Sequence, residues 1–154
     1  MDFHLNLNSE ALELALPVSP LCVEAETSVR DAVGRMKDEN RGAVLVCRSG
    51  VLVGIFTERD ALRMMARGAE LDVPMEEVMS KQPVSLSASD SMGTAIAKMS
   101  LGGYRQLPVV DSQGRPKGLV QASGILHYLV EHFPSVVYTL PPEPFHATHD
   151  REGA

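Results

Sequence analysis

Pro20–Met36 reads PLCVEAETSVRDAVGRM, and Pro83–Met99 reads PVSLSASDSMGTAIAKM. Laid over one another without a gap, the two stretches hold Pro20 on Pro83, Ala25 on Ala88, Ala32 on Ala95 and Met36 on Met99. Val23, Val29 and Val33 fall on Leu86, Met92 and Ile96, so apolar character persists where identity does not. After one added residue in the second copy, Arg41 meets Arg105, Val46 meets Val110, Gly50 meets Gly114, Gly54 meets Gly118 and Leu62 meets Leu126. A register kept over so much chain marks an internal repeat.

Each copy carries the same succession of signals. Leu21–Val23 and Val84–Leu86 are short extended segments. Val29, Ala32, Val33 and Met36, like Met92, Ala95, Ile96 and Met99, recur at three- and four-residue steps and predict a helix. Its N-cap candidates are Thr27 or Ser28 in the first copy and Ser89 or Asp90 in the second. The unbroken apolar runs Ala43–Cys47 and Leu107–Val110 fit strands buried on both faces. Gly-containing turns at Arg48–Gly50 and Asp111–Gly114 lead to second strands over Val53–Phe56 and Gly118–Val120. Closing helices are expected over Glu58–Arg67 and Ser123–His132. The order is β-α-β-β-α, twice, a mixed α/β (α+β) fold. We divide the chain into an N-terminal extension (1–16), a first repeat (17–72), a linker turn with the second repeat (73–133) and a Pro-rich tail (134–154). Within the linker, Met75–Met79 predicts a short helical turn.

The repeat and three local stretches, Gly54–Asp60 (GIFTERD), Glu77–Ser85 (EVMSKQPVS) and Tyr104–Asp111 (YRQLPVVD), resemble the CBS domain, named after cystathionine β-synthase. Two such domains in tandem form a Bateman module, and the resemblance runs from about Leu16 to Phe133. It implies two repeats packed by their sheets around a pseudo-two-fold axis. It also implies clefts that take adenosine-containing ligands (AMP, ADP, ATP or S-adenosylmethionine), and association into homodimers. A regulatory module that signals to a separate effector protein, rather than an enzyme, is the expected function. A dimerisation and docking module with an empty cleft is the alternative.

The sharpest chemical signal is Thr57-Glu58-Arg59-Asp60 at the start of the first closing helix. A carboxylate can accept hydrogen bonds from both ribose hydroxyls, and a threonine hydroxyl can donate to a ribose or phosphate oxygen. Thr57 and Asp60 match the positions at which the family contacts ribose and phosphate. Thr57-x-x-Asp60 is equally a helix capping box, and both readings stand. Gly54, lacking a side chain, leaves room for another group to approach, and Ile55 follows it on the strand. Arg59 and Arg105 are candidates to face phosphate, with solvated surface charge as the plain alternative; Arg41 holds the equivalent place in the first copy. Val18 and Cys22 are expected near the adenine end of the cleft or simply in the core. The second copy has Gln121 and Gly124 where the first has Thr57 and Asp60, which predicts one ribose site per chain; Ser123 stands out of register.

Whole-chain chemistry narrows the classes. The net charge is −6 over 154 residues, against the basic face expected of a nucleic-acid binder. Cys22 and Cys47 have no metal-ligand spacing and read as reduced core thiols. His4, His127, His132, His146 and His149 have no partners that define a metal site, and no metal is expected. No apolar run reaches the length of a membrane span. Met1–Leu16 carries Asp2, Glu10 and Glu13 without Lys or Arg, unlike a signal peptide; a cytoplasmic protein is expected. No nucleophile–base arrangement or glycine-rich phosphate loop stands out.

Overall fold

The computed structural model describes residues 11–15 and 17–132. The tail from Phe133 on, with His146 and His149, and His4 at the other end lie outside the described residues. Each repeat begins with a short strand and a helix: β1 (Cys22–Glu24) and α1 (Val29–Asp38) in the first, β5 (Leu86–Ser87) and α3 (Met92–Gly102) in the second. A hairpin follows, β2 (Ala43–Arg48) with β3 (Val51–Thr57), and β6 (Gln106–Val110) with β7 (Pro116–Gln121). The closing helices are α2 (Glu58–Ala66) and α4 (Ala122–His132). In both repeats the first strand pairs parallel with the second, and the hairpin is antiparallel. That is the expected β-α-β-β-α unit, built twice.

Local chemistry explains the elements. Ser28 caps α1, its hydroxyl accepting the Asp31 amide at 3.1 Å. In the second copy the cap is Ser91, accepting the Thr94 amide at 3.1 Å, and neither Ser89 nor Asp90. Asp90 instead accepts the Ser87 amide at 2.9 Å and closes the preceding turn. Ser91 is the repeat partner of Ser28, so strict register finds the right residue. Ser49 and Gly50, both at positive φ (52° and 82°), make the two-residue hairpin turn between β2 and β3. Ala43–Cys47 is buried throughout. Val44 and Val46 face the helices, while Leu45, 1% exposed, is covered on the opposite face.

The repeats interleave. A single 3-10 turn precedes each one, Leu12–Ala15 before the first and Met75–Glu77 before the second. Met75, 0% exposed, packs in the core of the first repeat with Val29, Phe56 and Met64. Leu12 and Ala15 pack in the core of the second with Leu86, Met92 and Ile125. The sheets exchange edges in the same way. β4 (Ser80–Lys81), absent from the sequence reading, pairs antiparallel with β3. Val18 bridges to Leu119 of β7 through two backbone hydrogen bonds of 3.0 and 2.9 Å. The two matching bridges, Ala11 to Ser91 and Ser28 to Pro74, show that the internal symmetry reaches back to residue 11. Among the described residues no helix is long and apolar enough to cross a membrane.

Candidate functional site

Strand β3 delivers Thr57 to the N-terminus of α2, where it is the N-cap. The Asp60 amide donates to Thr57 Oγ1 at 3.4 Å. Asp60 Oδ2 in return accepts the Thr57 amide at 2.9 Å and the Thr57 hydroxyl at 3.1 Å. The capping box is therefore formed. It does not exhaust the pair: among the described residues, Asp60 Oδ1 has no hydrogen-bond partner.

Thr57 and Asp60 open onto a cleft of about 1050 Å3 between the repeats, comparable with the largest common ligand sites. Ile55, Arg59 and Arg105, all singled out from sequence, line it too. The second copy contributes Gln121 and Ser123 to the same wall, so the out-of-register Ser123 does face this space. Apolar surface comes from Ile55, Pro83, Val84 and Tyr104.

Other expected residues are placed away from this cleft. The wall on which Val18 and Cys22 were candidates is built by Ser80–Val84. The cause is the interleaving: the strand edge beside β3 comes from the lead-in to the second repeat, not the first. Val18 consequently stands against Leu119 on the other sheet. Cys22 lies in β1, paired with Leu45 of the strand that also carries Cys47. The room at Gly54 is taken by the protein itself, because a Cβ there would collide with the Met79 side chain. Val18, Cys22 and Gly54 are all absent from the cleft lining. Sequence reading missed Lys81, Gln82, Pro83, Val84, Arg63 and Tyr104 on the wall. Extending the 63-residue register back to residues 11–19 and 74–82 was the signal that could have found Lys81 and Gln82.

The matching arginines behave differently. Arg41 donates to the Ser19 carbonyl and is spent on holding the chain before β1. Arg105 makes no side-chain hydrogen bond or ion pair among the described residues, and stays on the cleft wall. The counterpart of Asp60, Gly124, is closed off: a Cβ there would press into the Ala15 carbonyl oxygen. Cys22 and Cys47 are free thiols. Burial pushes both up, Cys47 to about 12, so they are protonated at neutral pH. No cluster of three or more His, Cys, Asp or Glu able to hold a metal ion occurs among the described residues.

Two interleaved β-α-β-β-α units with a cleft between them define the class. The CBS domain family model matches the chain twice, over residues 14–67 and 75–131, and the chain belongs to that family as a tandem CBS pair. CBS domain-containing protein YhcV of Bacillus subtilis is 39% identical over 90 residues, 58% of this chain. The chain spans less than two thirds of the length of the first curated relatives it matches, from 64% of YhcV down to 25% of MJ1404 of Methanocaldococcus jannaschii. Among solved structures, the CBS domain protein PAE2072 from Pyrobaculum aerophilum, complexed with AMP, superposes with a TM-score of 0.71 at 21% identity, over 79% of this chain and 96% of that one. The CBS domain pair of MJ0100, in complex with 5′-methylthioadenosine and S-adenosyl-L-methionine, gives 0.69 at 23%, over 76% and 97%.

Proposed function

We propose that this chain is a regulatory module, not an enzyme, that binds an adenine nucleotide or S-adenosylmethionine in the cleft between its repeats. The observation that carries the reading is the divided use of Asp60. One carboxylate oxygen holds the helix cap, and the other has no partner among the described residues, on a side chain that lines a nucleotide-sized cleft. That oxygen is free to accept from vicinal ribose hydroxyls. Thr57 directs its own proton at Asp60, so it accepts from a ligand hydroxyl as it stands and donates to phosphate once that proton turns about the Cβ–Oγ1 bond. Ile55, Pro83, Val84 and Tyr104 offer the apolar surface an adenine needs. The AMP, methylthioadenosine and S-adenosylmethionine held by the two neighbours support the ligand class.

Because the cleft is walled by both repeats, a bound ligand favours whichever relative orientation it contacts best, and that differential affinity is the signal a partner reads. The test is thermal denaturation with AMP, ADP, ATP and S-adenosylmethionine, for wild type and Asp60→Ala. Ligand at about one hundred times its Kd adds roughly 2.7 kcal/mol. The variant lowers the ligand-free Tm through the lost cap, so each shift is read against its own ligand-free value. Stabilisation of wild type but not variant supports the reading; no stabilisation by any adenosine compound sinks it.

A second reading has its own support. Leu62 and Leu126, repeat partners on α2 and α4, are 67% and 62% exposed. Paired exposed leucines suit a homodimer or an effector docked on the closing helices. Unchanged Tm with every ligand, together with a concentration-dependent dimer lost in Leu62→Lys, would favour this docking module.

A further inference from the structure

The cleft is a cationic place on an acidic protein. Arg59, Arg63, Lys81 and Arg105 line it, against the carboxylates of Glu58 and Asp60. None of the four cations has a side-chain hydrogen bond or ion pair among the described residues. Elsewhere four cations are in ion pairs, while Lys37, Arg67 and Arg115 have no side-chain hydrogen bond or ion pair among the described residues. Arg30 pairs with Asp72, Arg35 with Glu39, Arg48 with Glu26 and Glu76, and Lys117 with Asp111. With a net charge of −6 the chain does not lack carboxylates, so their scarcity around this cleft is local.

Two further features sharpen the point. Arg59 and Arg63 stand four residues apart on α2, where like charges repel along a helix face unless an anion lies between them. Arg105 is released from the structural bond that its repeat partner Arg41 makes to Ser19. On the other side of the balance, one oxygen of Asp60 is already hydrogen-bonded to the Thr57 amide and hydroxyl.

Resting on the adenosine-site reading above, we infer that the ligand is a nucleoside polyphosphate rather than a monophosphate or an uncharged or cationic adenosine derivative. Asp60 takes the ribose, and the phosphate chain neutralises Arg59, Arg63, Lys81 and Arg105. A single phosphate cannot satisfy four separate cations, whereas a di- or triphosphate spreads its charge along the wall. 5′-Methylthioadenosine has no charge to offer them, and the sulfonium of S-adenosylmethionine is repelled.

The test is calorimetric titration of the whole chain with ATP, ADP, AMP and 5′-methylthioadenosine at low and at moderate salt. The expected order is ATP, ADP, AMP and then 5′-methylthioadenosine. ATP should lead AMP by roughly ten-fold or more at low salt, with the lead narrowing as screening increases. In Arg59→Gln/Arg105→Gln, two exposed positions, the ratio of ATP to 5′-methylthioadenosine affinity should fall roughly ten-fold. AMP binding as tightly as ATP, or a variant that weakens every ligand equally, overturns the polyphosphate inference and leaves the adenosine site standing. Binding by none of the four, nor by S-adenosylmethionine in the same titration, overturns both.

Discussion

The carbonyl oxygen of Ala15 occupies the space that a side chain at Gly124 would need. Gly124 is the repeat counterpart of Asp60, so the site the first copy keeps open is closed in the second by the protein's own lead-in segment. Replacing Gly124 by Ala inside α4 would ordinarily stabilise the helix by up to about 1 kcal/mol. Here the clash with backbone wins, because a carbonyl in a buried 3-10 turn cannot swing aside as a flexible side chain can. Gly124→Ala should lower stability by about 1–3 kcal/mol in urea denaturation. A more stable variant would show that the Ala15 carbonyl does not sit there.

Leu12 and Met75 make an exchange of core residues between the repeats, and each should behave as core despite lying outside the unit it completes. Met75→Ala empties a site that is 0% exposed and should cost about 2–5 kcal/mol. Leu12→Ala, at 3% exposure, should cost a similar amount. Calorimetry should show one cooperative transition moving down in both variants, since each repeat depends on the lead-in of the other. A Leu12→Ala protein with unchanged Tm would contradict the interleaved arrangement.

Thr57 and Asp60 form one box, so their losses should not add. Each substitution to Ala should cost about 1 kcal/mol without ligand. The double variant should cost less than the sum, because either change already removes the reciprocal bonds. Thr57→Ser keeps the hydroxyl and should retain most of the stability. A double-mutant cycle by chemical denaturation decides the matter, with strict additivity as the contrary result.

Cys47 links stability to high pH. Burial, then the neighbouring Cys22, raises its thiol from 9.0 to about 12. A folded-state pKa above the unfolded value means the contribution is fully present below about pH 9 and is lost as pH rises toward 12. The protein should weaken across that window, and Cys47→Ala should flatten the loss. Alkylation at pH 8 should be slow at Cys47, which is 4% exposed, and faster at the half-buried Cys22. Rapid modification of Cys47 in the native protein would be inconsistent with this burial.

Much of the architecture was legible in the chain because it is written twice. Two copies in register average out the local ambiguity of short segments, and the strands Ala43–Cys47 and Leu107–Val110 were plain from continuous apolar character. Thr57, Ile55, Arg59, Asp60 and Arg105, which line one cleft, could be singled out because a hydroxyl, a carboxylate and cations beside the strand ends are unusual enough to read locally. Ser91 as the second cap was missed because three polar residues in a row offered equally good local chemistry.

What the sequence by itself determined is the repeat, the order of elements in each copy, and the motif at the start of the first closing helix. Those follow from periodicity and side-chain type, which act over a few residues. Only the tertiary structure decided which lead-in completes which sheet. Val18 and Cys22 consequently leave the cleft, and Lys81–Val84 enters it. Nothing within either segment distinguishes its own repeat from the other, because both offer the same edge. The choice rests on burying Leu12 and Met75 in opposite cores, contacts made across the whole fold.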